Sequence, residues 1–122
     1  HLVFDYNCFG DHHVARSAVA VPVGPSVVGL RFRREGSAGH AELVIDGQAC
    51  GRVEIPFVMH IISSLGPSVG RDHGSQASDL YSGENPFTGA IKRIDIALVS
   101  ARSRQEDVSA AEADARSAMG RQ

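Results

Sequence analysis

One stretch of this chain constrains its fold more than any other: two runs of strictly alternating side chains meeting at Asp46-Gly47. On the way in, Ala41, Leu43 and Ile45 alternate with Glu42 and Val44; on the way out, Val53, Ile55 and Phe57 alternate with Arg52 and Glu54. A period of two is the period of a strand, in which successive side chains point to opposite faces. Asp-Gly between such runs favours a two-residue hairpin, because both positions tolerate positive φ. A helix would scatter these apolar residues around its circumference, so the pattern predicts antiparallel β structure.

The same alternation appears elsewhere. Residues 27–34 set Val28, Leu30 and Phe32 against Gly29, Arg31 and Arg33, which predicts one apolar and one charged face. Residues 1–7 read as a strand without a clear polar face, and 14–21 as a second one of small and β-branched residues that stops at Pro22. Residues 90–99, with Ile94, Ile96 and Leu98 on one side, read as the last strand. Residues 63–89 are dense in Gly, Ser, Asp and Pro and have no sustained period. They predict a long loop, with one short strand at 68–70; a connection of that length is usually functional or docked on something.

Roughly six or seven short strands separated by turn signals predict a mainly β fold, an antiparallel β-sandwich of the concanavalin/lectin-like or jelly-roll-like kind. The expected organisation is a sandwich over residues 1–99 and a helical tail over 100–122. In that tail Ser103 and Glu106 fit a capping box, and Val108, Ala111, Ala115 and Met119 share one helical face. With 122 residues the chain is large enough for one core without metal or disulfide support.

Charge and composition exclude several function classes. A net charge of −2 leaves no electrostatic footprint for nucleic acid or an anionic membrane. No apolar run approaches the about 20 residues of a membrane span. Two cysteines, Cys8 and Cys50, do not make a disulfide scaffold, and buried free thiols are expected. No signal-peptide pattern opens the sequence, so the expected compartment is the cytoplasm.

Catalytic signatures are missing. There is no G-x-S-x-G elbow, no Walker pattern and no G-x-G-x-x-G. The six histidines stand in no metal-ligand spacing, and His12 and His13, being adjacent, would point to opposite faces of a strand. The run from Asp72 to Asp79 alternates acids with small residues but lacks the EF-hand pattern, so its side chains are expected to bond their own turns. Tyr6, Phe9, Tyr81 and Phe87 are candidates for a sugar-stacking platform, with core or interface packing as the plainer expectation.

Three segments together carry a resemblance: LVFDYNCFGDHHVARSAVAVPVGPSVVGLRFRR, AELVIDGQACGRVEIPFVMHIISSLGPSVGRD and NPFTGAIKRIDIAL. In this order, over residues 2–99, they resemble the C-terminal domain of bacterial arylsulfatases of the actinobacterial type. The resemblance implies a β-rich accessory piece of a sulfuric ester hydrolase, whose partner is the sulfatase catalytic domain. The family's catalytic group is a formylglycine made from C-x-P-x-R or S-x-P-x-R, assisted by calcium. Cys8 is followed by FGDH and Cys50 by GRVE, so no catalytic residue carries over; no cofactor is expected in this chain and it is expected to be inactive alone.

Two functions follow as expectations. As an accessory domain, the chain would dock through its loop face, residues 60–89, with His60, Arg71, Asp72, Asp79 and Tyr81 as contact residues because charged and aromatic groups concentrate there. As a lectin-like module, it would bind a carbohydrate or sulfated glycan through the same loops, with Arg31, Arg33 and Arg34 attracting sulfate. An exposed docking face would also allow a homo-oligomer.

Overall fold

The computed structural model describes residues 1–59, 66–74 and 76–99. The chain divides into two compact units, His1–Thr88 and Gly89–Gln122. Among the described residues, the first holds the regular structure: β1 (Val3–Cys8), β2 (Asp11–Arg16), β3 (Val28–Glu35), β4 (Ala38–Ile45) and β5 (Gln48–Ile55). The protein is mainly β. β1 and β2 form an antiparallel hairpin, and β3, β4 and β5 form an antiparallel sheet in that order.

The predicted Asp-Gly hairpin is present, with φ of 48° at Asp46 and 84° at Gly47. Its register pairs Ile45 with Gln48 and Ala41 with Val53, with one irregularity between Leu43 and Val44. On the other side, Leu30 pairs with Leu43 and Phe32 with Ala41. The alternating residues of three strands therefore share one face. Ala41, Leu43, Ile45 and Ile55 are buried there, while Val28, Leu30 and Phe32 on β3 stay more than two-fifths exposed.

The core forms where the β1–β2 hairpin meets this sheet. Phe4 and Tyr6 pack against Ala41, Ile55 and Val58, with Val53 beside them. Backbone contacts fasten the meeting: Ala18 N–H donates to the Cys50 carbonyl at 2.7 Å. β2 ends at Arg16, short of the expected 14–21 run, because Ser17 breaks the ladder. Its buried hydroxyl accepts from Leu2 N–H (2.9 Å) and donates to the Val19 carbonyl (2.6 Å), turning the chain away.

Two expected strands do not form. Residues 68–70 are irregular, although the Gly70 carbonyl accepts from Phe87 N–H at 2.7 Å. In the second unit, residues 90–99 alternate as a strand would but are irregular, with Ile94, Ile96 and Leu98 exposed. Alternation alone does not make a strand; a ladder partner must satisfy the backbone. What the segment has instead is a local pair, Arg93 Nε donating to Asp95 Oδ2 at 2.8 Å. The expected helix over 100–122 lies outside the described residues. No helix among the described residues is long and apolar enough to cross a membrane.

Candidate functional site: the loop over residues 66–88

The loop is built as a small module within the first unit. Two backbone bonds close it, from Asp72 N–H to the Glu84 carbonyl (2.8 Å) and from Phe87 N–H to the Gly70 carbonyl. These set residues 70–72 antiparallel to 84–87. Positive φ at Gly70 (80°), Gly74 (98°), Gly83 (77°) and Asn85 (42°) supplies the reversals. At three of these four positions glycine makes that conformation accessible without steric cost.

Asp72 is the centre of the module. Its Oδ2 accepts from the Tyr81 hydroxyl and from Ala77 N–H at 3.0 Å, and Ala77 N–H also reaches the Tyr81 oxygen at 3.1 Å. Asp72 thus spans the turn, as expected for an acid in a Gly- and Ser-rich stretch. The Tyr81 hydroxyl bond, then the Ala77 amide, hold the Asp72 carboxyl below its ordinary range. The same bond raises Tyr81 above the usual phenol value, because losing the proton would set a phenolate against a carboxylate.

Between the two arms lies a hollow of about 400 Å³, lined among others by Ser68, Arg71, Asp72, Tyr81, Asn85 and Phe87. Arg71 is exposed and stands 3.6 Å from Glu84 Oε2. Around this polar centre Val69, Leu80 and Phe87 expose their side chains, at 59%, 65% and 61%. The arrangement offers fixed acceptors, a cationic fork and two aromatic rings.

Of the residues nominated from sequence, Arg71, Asp72 and Tyr81 come together here. His60 lies outside the described residues. Asp79 is not at the hollow; its Oδ2 stands 3.5 Å from His12 Nε2. That histidine belongs to a second arrangement the sequence did not reveal. Its Nδ1 lies 2.9 Å from both oxygens of Asp5, whose side chain is only 5% exposed. Asp5 and His12 are diagonal neighbours across the hairpin, since Asp5 pairs with Val14 and Asn7 with His12. Knowing the β1–β2 register would have found them. His13 faces the other way, its ring 6.4 Å from that of Tyr6. Asn85 was also missed as a pocket residue, its only signal being the Gly-rich loop around it, while Tyr81 and Phe87, two of the four candidates for sugar stacking, both line the hollow.

The cysteines are free and half-buried. Cys8 Sγ lies 3.2 Å from Met59 Sδ, and Cys50 Sγ is 3.4 Å from the Leu43 carbonyl. Among the described residues, no three His, Cys, Asp or Glu side chains stand close enough to share a metal ion. On β3, Arg31 and Arg33 share the outward face. Arg31 is bonded to Glu42 at 3.1 Å, while Arg34 alternates to the opposite face and donates to the Gly36 carbonyl.

The fold and site define a small antiparallel β domain that carries a braced polar loop. No family model matches the chain, and no curated protein and no solved structure matches it either.

Proposed function

We propose that this chain is a non-catalytic accessory domain that packs on the catalytic domain of an arylsulfatase-type hydrolase and helps wall its substrate cleft. The partner class comes from the sequence resemblance over residues 2–99. The observation that carries the docking itself is the loop: a braced polar centre at Arg71, Asp72 and Tyr81, with exposed Phe87 in the same hollow and exposed Val69 and Leu80 adjacent in sequence to its lining residues. Apolar anchors around satisfied polar groups are what an intermolecular contact needs. Because Asp72 and Tyr81 hold the loop before any partner arrives, little ordering entropy opposes docking. In this reading the calcium and the formylglycine belong to the catalytic domain.

Calorimetric titration of this chain into an arylsulfatase truncated before its C-terminal domain tests the reading. Binding that weakens about tenfold or more in Phe87→Ser is expected, the loss of a buried aromatic anchor. Absence of heat, or binding indifferent to Phe87→Ser, Leu80→Ser and Arg71→Ala alike, contradicts it.

A lectin-like module is the second reading, favoured by the chemistry of the hollow. Asp72, Asn85 and Arg71 present acceptors and donors suited to sugar hydroxyls, beside Tyr81 and Phe87. The sulfated form of this reading loses part of its support on β3, where Arg31 is engaged by Glu42 and Arg34 faces away from Arg31 and Arg33. A glycan array giving background signal only would remove it.

A further inference from the structure

His12 stands between two carboxylates that come from distant parts of the chain. Its Nδ1 lies 2.9 Å from both oxygens of Asp5 on β1, and its Nε2 lies 3.5 Å from Oδ2 of Asp79 in the loop. The two acids differ in their surroundings: the Asp5 side chain is 5% exposed and that of Asp79 81%. The other Asp79 oxygen accepts from Gln76 Nε2 at 3.4 Å, within the loop.

A neutral imidazole carries one N–H, and its second nitrogen is an acceptor. The nearly buried Asp5 carboxylate takes that N–H at Nδ1, because a lone pair there would leave it desolvated and without a donor. Nε2 is then a bare lone pair set against the Asp79 carboxylate, and the two repel. A second proton makes Nε2 a donor as well, and the ring joins both acids. We propose that His12 is a proton-operated latch: its charged ring ties the loop to the β1–β2 hairpin through Asp79, and its neutral ring keeps Asp5 and lets Asp79 go.

Among the described residues, no other ion pair reaches this ring. On β1, Asn7 lies opposite His12 and carries no charge. On β2, Asp11 and His13 point to the other face, 3.4 Å from each other. Arg16 shares the His12 face but stands four residues further along the strand, roughly 13 Å away. The three-stranded sheet turns uncharged Ala41, Val53 and Ile55 toward the hairpin, while its Arg52 and Glu54 alternate to the opposite face and bond each other at 2.7 Å. In the loop, Asp72 and Tyr81 are bonded to one another.

The release is local. The Asp72–Tyr81 brace and its bond to the Ala77 amide do not involve His12, so they persist in both states. The proton acts on the bend around Asp79, where Ser78 is buried and its Oγ accepts from Leu80 N–H at 3.4 Å. Leu80 itself is exposed and is one of the apolar anchors of the docking face. On the docking reading, acid therefore fixes that anchor and base loosens it; the latch is a property of the free chain and does not rest on that reading.

Hydrogen exchange of the free chain from about pH 5 to pH 8, the interval in which imidazoles change charge, is the test, read by NMR and corrected for intrinsic exchange. As pH rises, Leu80 protection should fall about two- to fivefold, the effect of a part-exposed ion pair, in step with the His12 ring resonances. Ala77 should hold its protection. In Asp79→Asn the amide can accept from the charged ring and donate to the neutral one, so Leu80 protection should stay flat at the acid level. In Asp79→Ala it should stay flat at the level of the released loop. Both variants replace an exposed side chain, and circular dichroism checks that they fold. Leu80 protection that is independent of pH in the parent chain overturns the proposal, and so does a pH dependence that survives in Asp79→Ala. The measurement needs no partner, so its failure is distinct from a failure of docking.

Discussion

Gly51 lies directly under the Arg16 carbonyl: a Cβ built on Gly51 would stand 2.7 Å from that oxygen and 3.2 Å from Leu43 Cδ1. This contact is where the β1–β2 hairpin closes against the three-stranded sheet, and only a residue without a side chain permits it.

The first prediction follows from that contact. Gly51→Ala must displace backbone rather than a flexible side chain, at a cost of about 1–3 kcal/mol. In a domain of this size each kcal/mol lowers Tm by roughly 4–8 °C. Gly29→Ala, whose Cβ meets nothing within 4 Å, should change stability by less than about 0.5 kcal/mol. Thermal unfolding of the two variants beside the parent chain separates them.

A second prediction concerns the pair across the hairpin. Removing His12 leaves the nearly buried Asp5 carboxylate without its ring partner. His12→Ala should cost about 1–3 kcal/mol in urea unfolding, the penalty of an unsatisfied buried acceptor. Adding Asp5→Asn should recover part of that loss, because the pair is coupled and its members are not additive.

The loop should depend on pH at both extremes. Asp72 has a lowered folded value, so its contribution is present above the ordinary carboxylate value of about 4 and is lost as pH falls through the still lower folded value. Tyr81 has a raised folded value, so its contribution is complete below the ordinary phenol value of about 10 and disappears as pH rises through the higher folded one. Between these limits the Ala77 amide should be protected from hydrogen exchange, and Tyr81→Phe should speed its exchange at neutral pH. In a Tyr6→Phe background, phenolate absorbance should rise only above the usual range. A Tyr81 titration at or below that range contradicts the bond to Asp72.

Much of the fold was legible because strand period and turn chemistry are local. The Asp46-Gly47 hairpin, the apolar row of β3 and the opposed faces of His12 and His13 all follow from alternation and positive φ. The failure at residues 90–99 has the same root: Ile94, Ile96 and Leu98 have the right period, but ladder partners are non-local and no period reports them. Ser17 ended β2 early through hydrogen bonds to Leu2 and Val19, a competition between side chain and ladder invisible to propensity. At the site, the loop announced itself by composition, and Arg71, Asp72 and Tyr81 proved neighbours. Asp79 did not join them; it stands beside His12, dozens of residues earlier in the chain, a neighbourhood that local pattern does not report.

Docking through the 66–88 loop is tested most directly by hydrogen exchange on this chain mixed with an arylsulfatase catalytic domain lacking its own C-terminal domain. New protection confined to the backbone around Arg71–Asp72 and Tyr81–Phe87, with the β3 edge unchanged, is the predicted footprint. Complex formation that leaves those amides as fast as in the free chain, or no complex at all, contradicts it.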